Sequence, residues 1–163
     1  MEMIGHGGKE IIERVLAKDA ALKRVEELKA AKVKTLDVRL QLATEILDIT
    51  YGFFSPLEGF MTKADVESVI NNMTLADGKT VWSIPIVYDI SSADLEKSGI
   101  KQYDEVLLTY TGNPFAIFDI TDIFTLDTKE VAMKVYGTTE DKHPGVKRTY
   151  QYQDKFLGGK ITL

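Results

Sequence analysis

The chain has 163 residues, 44% hydrophobic and 28% charged, the proportions of one ordinary folded domain able to build its own core. No cysteine is present and there are two histidines, His6 and His143, which excludes disulfides, thiolate metal sites, thiol nucleophiles and a multi-histidine metal site. The net charge of −5 is spread: residues 1–50 carry nine basic and nine acidic side chains, 51–100 three and seven, 101–163 eight and nine, so no basic block supplies the phosphate-tracking surface of a nucleic-acid binder.

In chain order, Ile11, Ile12, Val15 and Leu16 repeat at the helix period behind Glu10 and Glu13, predicting a first helix. Asp19 is placed to cap a second, with Leu22, Val25 and Leu28 on one stripe and Lys23, Arg24, Glu26, Glu27 and Lys29 forming a solvated face. A short strand over Lys34 to Val38 follows, then a third helix from about Leu40 carrying Leu42, Ala43, Ile46, Leu47 and Ile49. Residues 51–61 are neither helical nor alternating. Gly52 and Gly59 permit unusual backbone, Pro56 pushes Ser55 into extended geometry, and Phe53, Phe54, Leu57 and Phe60 predict a turn anchored in the core. Thr62 and Asp65 form a capping box that opens a helix with Val66, Val69, Ile70 and Met73 inward.

After residues 76–79 the period becomes that of a strand. Trp82, Ile84, Ile86, Tyr88 and Ile90 occupy one face, with Ser83, Pro85, Val87 and Asp89 on the other, and Pro85 predicts an edge or a bulge. Val106 to Tyr110 and Phe115 to Thr125 read as two strands joined by a hairpin turn at residues 111–114. Short helices are predicted around Glu130 to Val135 and Val146 to Gln151. Helices first and strands later is the order of an α+β domain whose second half forms a small, mostly antiparallel sheet or barrel. No apolar run approaches the roughly 18–20 residues of a membrane span. The opening MEMIGHGGKE has neither the basic start nor the apolar core of a leader. A cytoplasmic location is expected.

Candidate chemistry is sparse. Gly5-His6-Gly7-Gly8-Lys9 directly precedes the first predicted helix, which makes Gly7, Gly8 and Lys9 candidates for an anion site. The spacing is not that of a phosphate loop, and a tight turn docking the helix accounts for the glycines equally well. His143, beside Asp141, has the chemistry of an acid or base; a ring that caps the following helix is the alternative. Asp119 with Asp122, and Asp104 with Glu105, are carboxylate pairs of the kind that hold magnesium, yet three positions along a strand point to opposite faces. Leu157-Gly158-Gly159-Lys160 reads as a strand-entry turn rather than a phosphate loop, since no helix follows it. These residues assemble no active site, so no catalytic residue, metal ligand or cofactor is assigned to the segment.

Residues 52–61 closely resemble the G-x-F-S-P-L-x-G-F-M signature of sulfate adenylyltransferase. His6-Gly7-Gly8-Lys9 is similar to that family's opening, and Trp82-Ser83-Ile84-Pro85-Ile86 to its W-P-I-P-I strand, with Ser83 for the first proline. Residues 136–146 resemble its F-G-T-x-D-x-x-H-P-G-V segment, and Phe156-Leu157-Gly158-Gly159-Lys160-Ile161 its Y-x-x-G-G-K-I strand. The five matches run in family order along 1–163. The resemblance implies a PUA-like fold, a small, mostly antiparallel β-barrel with N-terminal and flanking helices. It implies that the intact enzyme moves the adenylyl group of ATP, accompanied by magnesium, to sulfate, giving adenosine 5′-phosphosulfate and pyrophosphate. The family's catalytic signatures, Q-x-R-N-P, H-x-x-H and G-R-D-H-A-G, do not occur in this sequence. The match is therefore to the N-terminal domain, expected to be inactive alone and to scaffold its own catalytic domain or a homo-oligomer. Neither nucleic acid nor membrane is an expected partner. A PUA-like RNA-binding module, marked by a basic stripe with exposed aromatics, is the alternative that the charge distribution disfavours; a small enzyme built on His143 is a second.

Overall fold

The computed structural model describes residues 4–163. A short 3₁₀ turn, His6–Gly8, opens it. The first predicted helix is absent, and residues 11–17 form an extended arm. The cause lies in the hydrogen bonds. The N–H groups of Ile12, Arg14 and Leu16 donate to Ser55 Oγ at 2.9 Å, Thr50 O at 2.7 Å and Leu163 O at 2.7 Å. Every second residue faces the same neighbours, the period of a strand, and those donors are then lost to a helix. Helix α1, Lys18–Ala30, starts from Ala17, with Asp19 inside the first turn rather than at the cap. Its stripe is only partly covered: Leu28 is buried, Val25 half-buried and Leu22 exposed.

Strand β1 (Thr35–Asp37) and helix α2 (Leu40–Thr50) stand where expected. Strand β2 (Gly59–Phe60) leads into α3 (Lys63–Asn72), where the capping box is formed and the Thr62 side chain accepts from Asp65 N. Val66 and Val69 are buried, but Met73 ends the helix in left-handed geometry and points outward. The strand predicted over residues 82–90 shrinks to β3, Tyr88–Ile90. Buried Pro85 cannot donate to a ladder, and Met61 N instead takes the Ile86 carbonyl at 3.0 Å. The expected faces do not persist, because Val87 is buried and Ile84 exposed. Helix α4 (Ser92–Ser98), strands β4 (Glu105–Tyr110) and β5 (Asn113–Phe124), helices α5 (Thr128–Tyr136) and α6 (Pro144–Thr149), and strand β6 (Lys155–Thr162) complete the chain. Thr111 and Gly112, both with positive φ, form the two-residue turn between β4 and β5.

The strands make one sheet in the order β1-β4-β5-β6-β2, with β3 also paired to β6. Only β1 with β4 is parallel, so the sheet is mostly antiparallel as expected. It does not close into a barrel. The free edges are β1, of three residues, and β2 and β3, which share one side of β6 at Gly159–Lys160 and Lys155–Leu157. Edges this short cannot complete a ladder to one another, and α2 fills the space between them. Its Leu42, Ala43, Ile46 and Ile49 share a core with Phe60, Tyr88, Val106, Leu108 and Phe118. A second cluster under α3 joins Val66 and Val69 to Leu57, Met61, Phe124 and Phe156. A third, under α1, joins Leu28 to Leu107 and Ile117. Gly158 and Gly159 lie inside β6, not in a turn before it.

The turn at residues 51–61 is divided. Phe60 is 2% exposed and Leu57 and Met61 are also buried, whereas Phe53, expected in the core, is 78% exposed. No helix among the described residues is long and apolar enough to cross a membrane.

Candidate functional site

The sequence-predicted site residues are distributed over the domain. With the first helix absent, no helix N-terminus stands behind Gly7 and Gly8. Lys9 Nζ donates to Asp77 Oδ2 at 2.6 Å, and His6 Nε2 lies 2.5 Å from Val81 O. The opening residues are thereby stapled to the 77–82 loop. The Lys9 ammonium, with further hydrogen bonds from Thr80 and Lys79, holds the Asp77 carboxyl well below the usual carboxylate range. His143 is the N-cap of α6: its Nδ1 accepts from Gly145 N at 3.2 Å, and its ring lies 5.0 Å from that of Tyr136. This is the helix-capping alternative.

The carboxylate pairs have structural partners of their own. Asp122 accepts from Lys63 N at 2.9 Å, at the start of α3. A bulge between Ile120 and Asp122 interrupts the alternation that assigned Asp119 and Asp122 to opposite faces. Burial raises the Asp119 carboxyl, with nearby Glu105 adding to the effect. Asp104 takes Lys34 Nζ at 2.5 Å and Lys101 N at 2.6 Å, while Glu105 pairs with Arg24. Among the described residues no group of three or more histidines or carboxylates is placed to share a metal ion.

Two polar groups that patterning does not single out are prominent. Arg14 clamps the arm to the end of β6, donating to Ile161 O at 2.6 Å, Glu58 Oε2 at 2.8 Å and Thr162 Oγ1 at 3.0 Å. Asp89, assigned to the polar face of a strand, is 2% exposed and accepts from Arg39 and from Gln153 N at 3.0 Å. A buried carboxylate requires such partners. The signal for Arg14 is a lone cation among Ile11, Ile12, Val15 and Leu16; for Asp89 the alternation itself points the wrong way.

Two clefts border the 81–87 segment. One, of about 410 Å³, is lined by His6, Phe53, Ser55, Trp82, Ile84 and Ile86 among others. It carries no carboxylate, lysine or arginine. The other, of about 650 Å³, lies between α2, Pro85, Tyr136 and the start of α6, with Glu45 and Arg148 at 2.7 Å across it. Three of the five resembling segments meet in the first cleft: the opening, the 52–61 turn and the Trp82 segment. In neither cleft is a hydroxyl hydrogen-bonded to a histidine: His6 is engaged with Val81 O and Ser55 Oγ with Gly52 O.

Comparison with known proteins accords with this architecture. A sulfate adenylyltransferase of Hyperthermus butylicus is 34% identical over 158 residues, covering 97% of this chain and 39% of its own length. One from Staphylothermus marinus is 36% identical over 161 residues, covering 97% and 40%. The chain thus spans about two-fifths of the length of the curated relatives it matches. Among solved structures, a hexameric APS kinase from Thiobacillus denitrificans superposes with a TM-score of 0.68 at 21% identity, over 98% of this chain and 26% of that one. That likeness is one of fold. The PUA-like domain family matches residues 3–163. Every helix and strand described above falls within that match, and the chain belongs to the PUA-like domain family.

Proposed function

We propose that this chain is the N-terminal, non-catalytic domain of a sulfate adenylyltransferase and that it scaffolds the catalytic domain or the oligomer. The observation that carries the reading is similarity over 97% of the chain to proteins of that name, of which it spans two-fifths. The intact enzyme transfers AMP from magnesium-bound ATP to sulfate, releasing pyrophosphate and adenosine 5′-phosphosulfate. That transfer needs cationic and hydrogen-bonding groups converging on the phosphates and the incoming oxyanion.

The arginines here are committed elsewhere. Each of the four arginines, Arg14, Arg24, Arg39 and Arg148, is paired with a carboxylate: Glu58, Glu105, Asp89 and Glu45. Lys9 is paired with Asp77. These residues do not fit a magnesium–nucleotide site, and no chemical step is assigned to them. What they do is tie the arm, the sheet and the helices of this domain to one another.

The test is sulfate-dependent pyrophosphate release from ATP, measured on the 163-residue chain and on the full-length product of its gene. Turnover is expected from the long product and none from the short chain. Turnover by the short chain, abolished by His143→Ala, would overturn the reading in favour of a small self-contained enzyme.

A further inference from the structure

We infer that the residues immediately following Leu163 in the full-length polypeptide extend β6 along an overhanging end of β5 and cover the apolar groove between that overhang and α1. The inference rests on the function proposed above, under which the rest of the polypeptide follows this domain, and adds to it where the connection docks. The overhang is set by register. Strand β5 pairs with β6 only from Ile117, opposite Thr162, onward. Its residues 113–116 have β4 on one side and, among the described residues, no strand on the other. An unpaired strand edge is a template for a further strand. Counted on from the Ile117–Thr162 pair, the first residue after Leu163 falls opposite Phe115 and the third opposite Asn113.

The direction of the chain is fixed at the same point. Leu163 N donates to Arg14 O at 2.8 Å and Leu16 N donates to Leu163 O at 2.7 Å, the two bonds that a parallel neighbour makes around Val15. The backbone groups of Leu163 therefore face the arm, and by the alternation of a strand those of the next residue face β5. A chain leaving Leu163 runs parallel to Leu16 and Ala17, toward the first turn of α1, with the β5 overhang on its other side.

The groove on that path, of about 390 Å³, is lined by Leu22, Val25, Phe115, Ile117 and Leu163 among others, and by no carboxylate. Burial along the stripe of α1 shows which part lacks cover. Leu28 is enclosed with Leu107 and Ile117, Val25 is half-buried, and Leu22, in the half of the helix that follows the arm, is 58% exposed. Ile117 packs on the face of the sheet that α1 covers, and Thr162, its partner across β6, lines the groove. By the two-residue period of a strand, the first and third residues after Leu163 present their side chains to that same face. They stand where the stripe of α1 is bare.

The test compares the 163-residue chain, an extended chain ended about ten residues later, and the full-length protein, with sulfate-dependent pyrophosphate release measured on the last. Hydroxyl-radical labelling of Leu22 is expected to fall roughly fivefold in both longer products, as its 58% exposure drops to that of a covered side chain. Exchange of the Phe115 amide is expected to slow at least about tenfold, and the extended chain to melt roughly 3–6 °C above the 163-residue chain. Leu22→Glu is expected to shift the 163-residue chain by no more than about 2 °C and to abolish the gain of the extended chain. An active full-length protein whose Leu22 and Phe115 behave as in the 163-residue chain overturns the docking and leaves the proposed function standing. Protection in the full-length protein that the extended chain lacks assigns the groove to a distant part of the polypeptide and overturns the inference. Protection of the 163-residue chain that grows with concentration as it dimerises assigns the groove to a second copy and overturns it equally. A full-length protein without sulfate-dependent turnover overturns the function itself, and exchange at Phe115 still decides the docking.

Discussion

Gly59→Ala measures how closely β2 crosses β6. Gly59 pairs with Lys160, and a Cβ built on it meets the Gly159 carbonyl oxygen head-on, with Gly159 C and Lys160 Cα each at 2.7 Å. All three are backbone atoms and cannot rotate away. Relief requires the two strands to part by roughly 1 Å, against an ordinary spacing of about 4.8 Å, and a ladder hydrogen bond stretched that far is lost. The neighbouring bond from Ile161 N to Glu58 O, now 2.9 Å, stretches with it. Two such bonds are worth about 1 kcal/mol each. Displacing Phe60, which packs on Tyr88 at 5.3 Å and Phe118 at 5.9 Å between ring centres, adds about 1–3 kcal/mol of misfit. The expected loss is about 3–5 kcal/mol, a fall of roughly 10–15 °C in melting temperature for a domain of this size. Gly99→Ala is the control. Gly99 has φ of +64° with open space around its Cβ position, so only backbone strain of about 1 kcal/mol is expected. Thermal and urea melts followed by circular dichroism and Trp82 fluorescence compare the two. If Gly59→Ala falls within about 1 kcal/mol of Gly99→Ala, the backbone crossing is looser than described and the reasoning fails.

Phe60→Ser is expected to cost about 3–5 kcal/mol and Phe53→Ser less than about 0.5 kcal/mol, since one is buried and the other solvent-facing; equal effects in urea melts would refute the division of the turn. Arg14→Met removes the clamp to Ile161, Glu58 and Thr162 and is expected to cost about 2–4 kcal/mol, with amide exchange quickening first at residues 12–16; uniform quickening through the domain would count against an arm-specific role. Burial holds the Glu45 carboxyl above the usual carboxylate range, opposed by Gln41 and Arg148. The folded state then binds that proton more tightly than the unfolded chain does, so stability falls as pH rises from the unfolded value of about 4.3 through the raised folded one. Glu45→Gln should flatten melting temperature against pH in that window, and an unaltered slope would refute the assignment. The lowered carboxyls of Asp37, Asp77, Asp104 and Asp154 act elsewhere, losing their contribution only as pH falls below about 3.9.

The elements legible in the sequence are those whose periodicity and stop signals agree. Helix α2 has four apolar residues on one face and meets glycine at residue 52; α3 has its capping box; β4 and β5 flank a Thr-Gly turn. The failures have a common cause. Seven residues from Ile11 to Ala17 fit both a helical and an extended period, and the tertiary partners Ser55, Thr50 and Leu163, which lie 36–147 positions away, choose between them. Barrel closure fails for a related reason, because it depends on the length of edge strands that patterning fixes to only a few residues. The predicted nine-residue strand at 82–90 leaves three residues in the ladder, too few to reach a partner edge.

The site was less legible than the fold, and the turn at 51–61 shows why. Composition identifies Phe53, Phe54, Leu57 and Phe60 as apolar residues among chain breakers, and burial is the ordinary fate of such side chains. Which of them faces inward depends on how the arm crosses Gly52, a matter of three-dimensional placement. The exposed one is informative because the core does not need it. Phe60 belongs to the core, and its loss is expected to destabilise the domain. Phe53, 78% exposed, is expected to contribute little to the stability of the domain. The same holds for Val81 and Ile84, held outward by the hydrogen bonds of Trp82 and His6. Replacing Phe53, Val81 and Ile84 together by serine is expected to leave the melting temperature of the 163-residue chain unchanged, and a fall of several degrees would mean that the face belongs to the core after all.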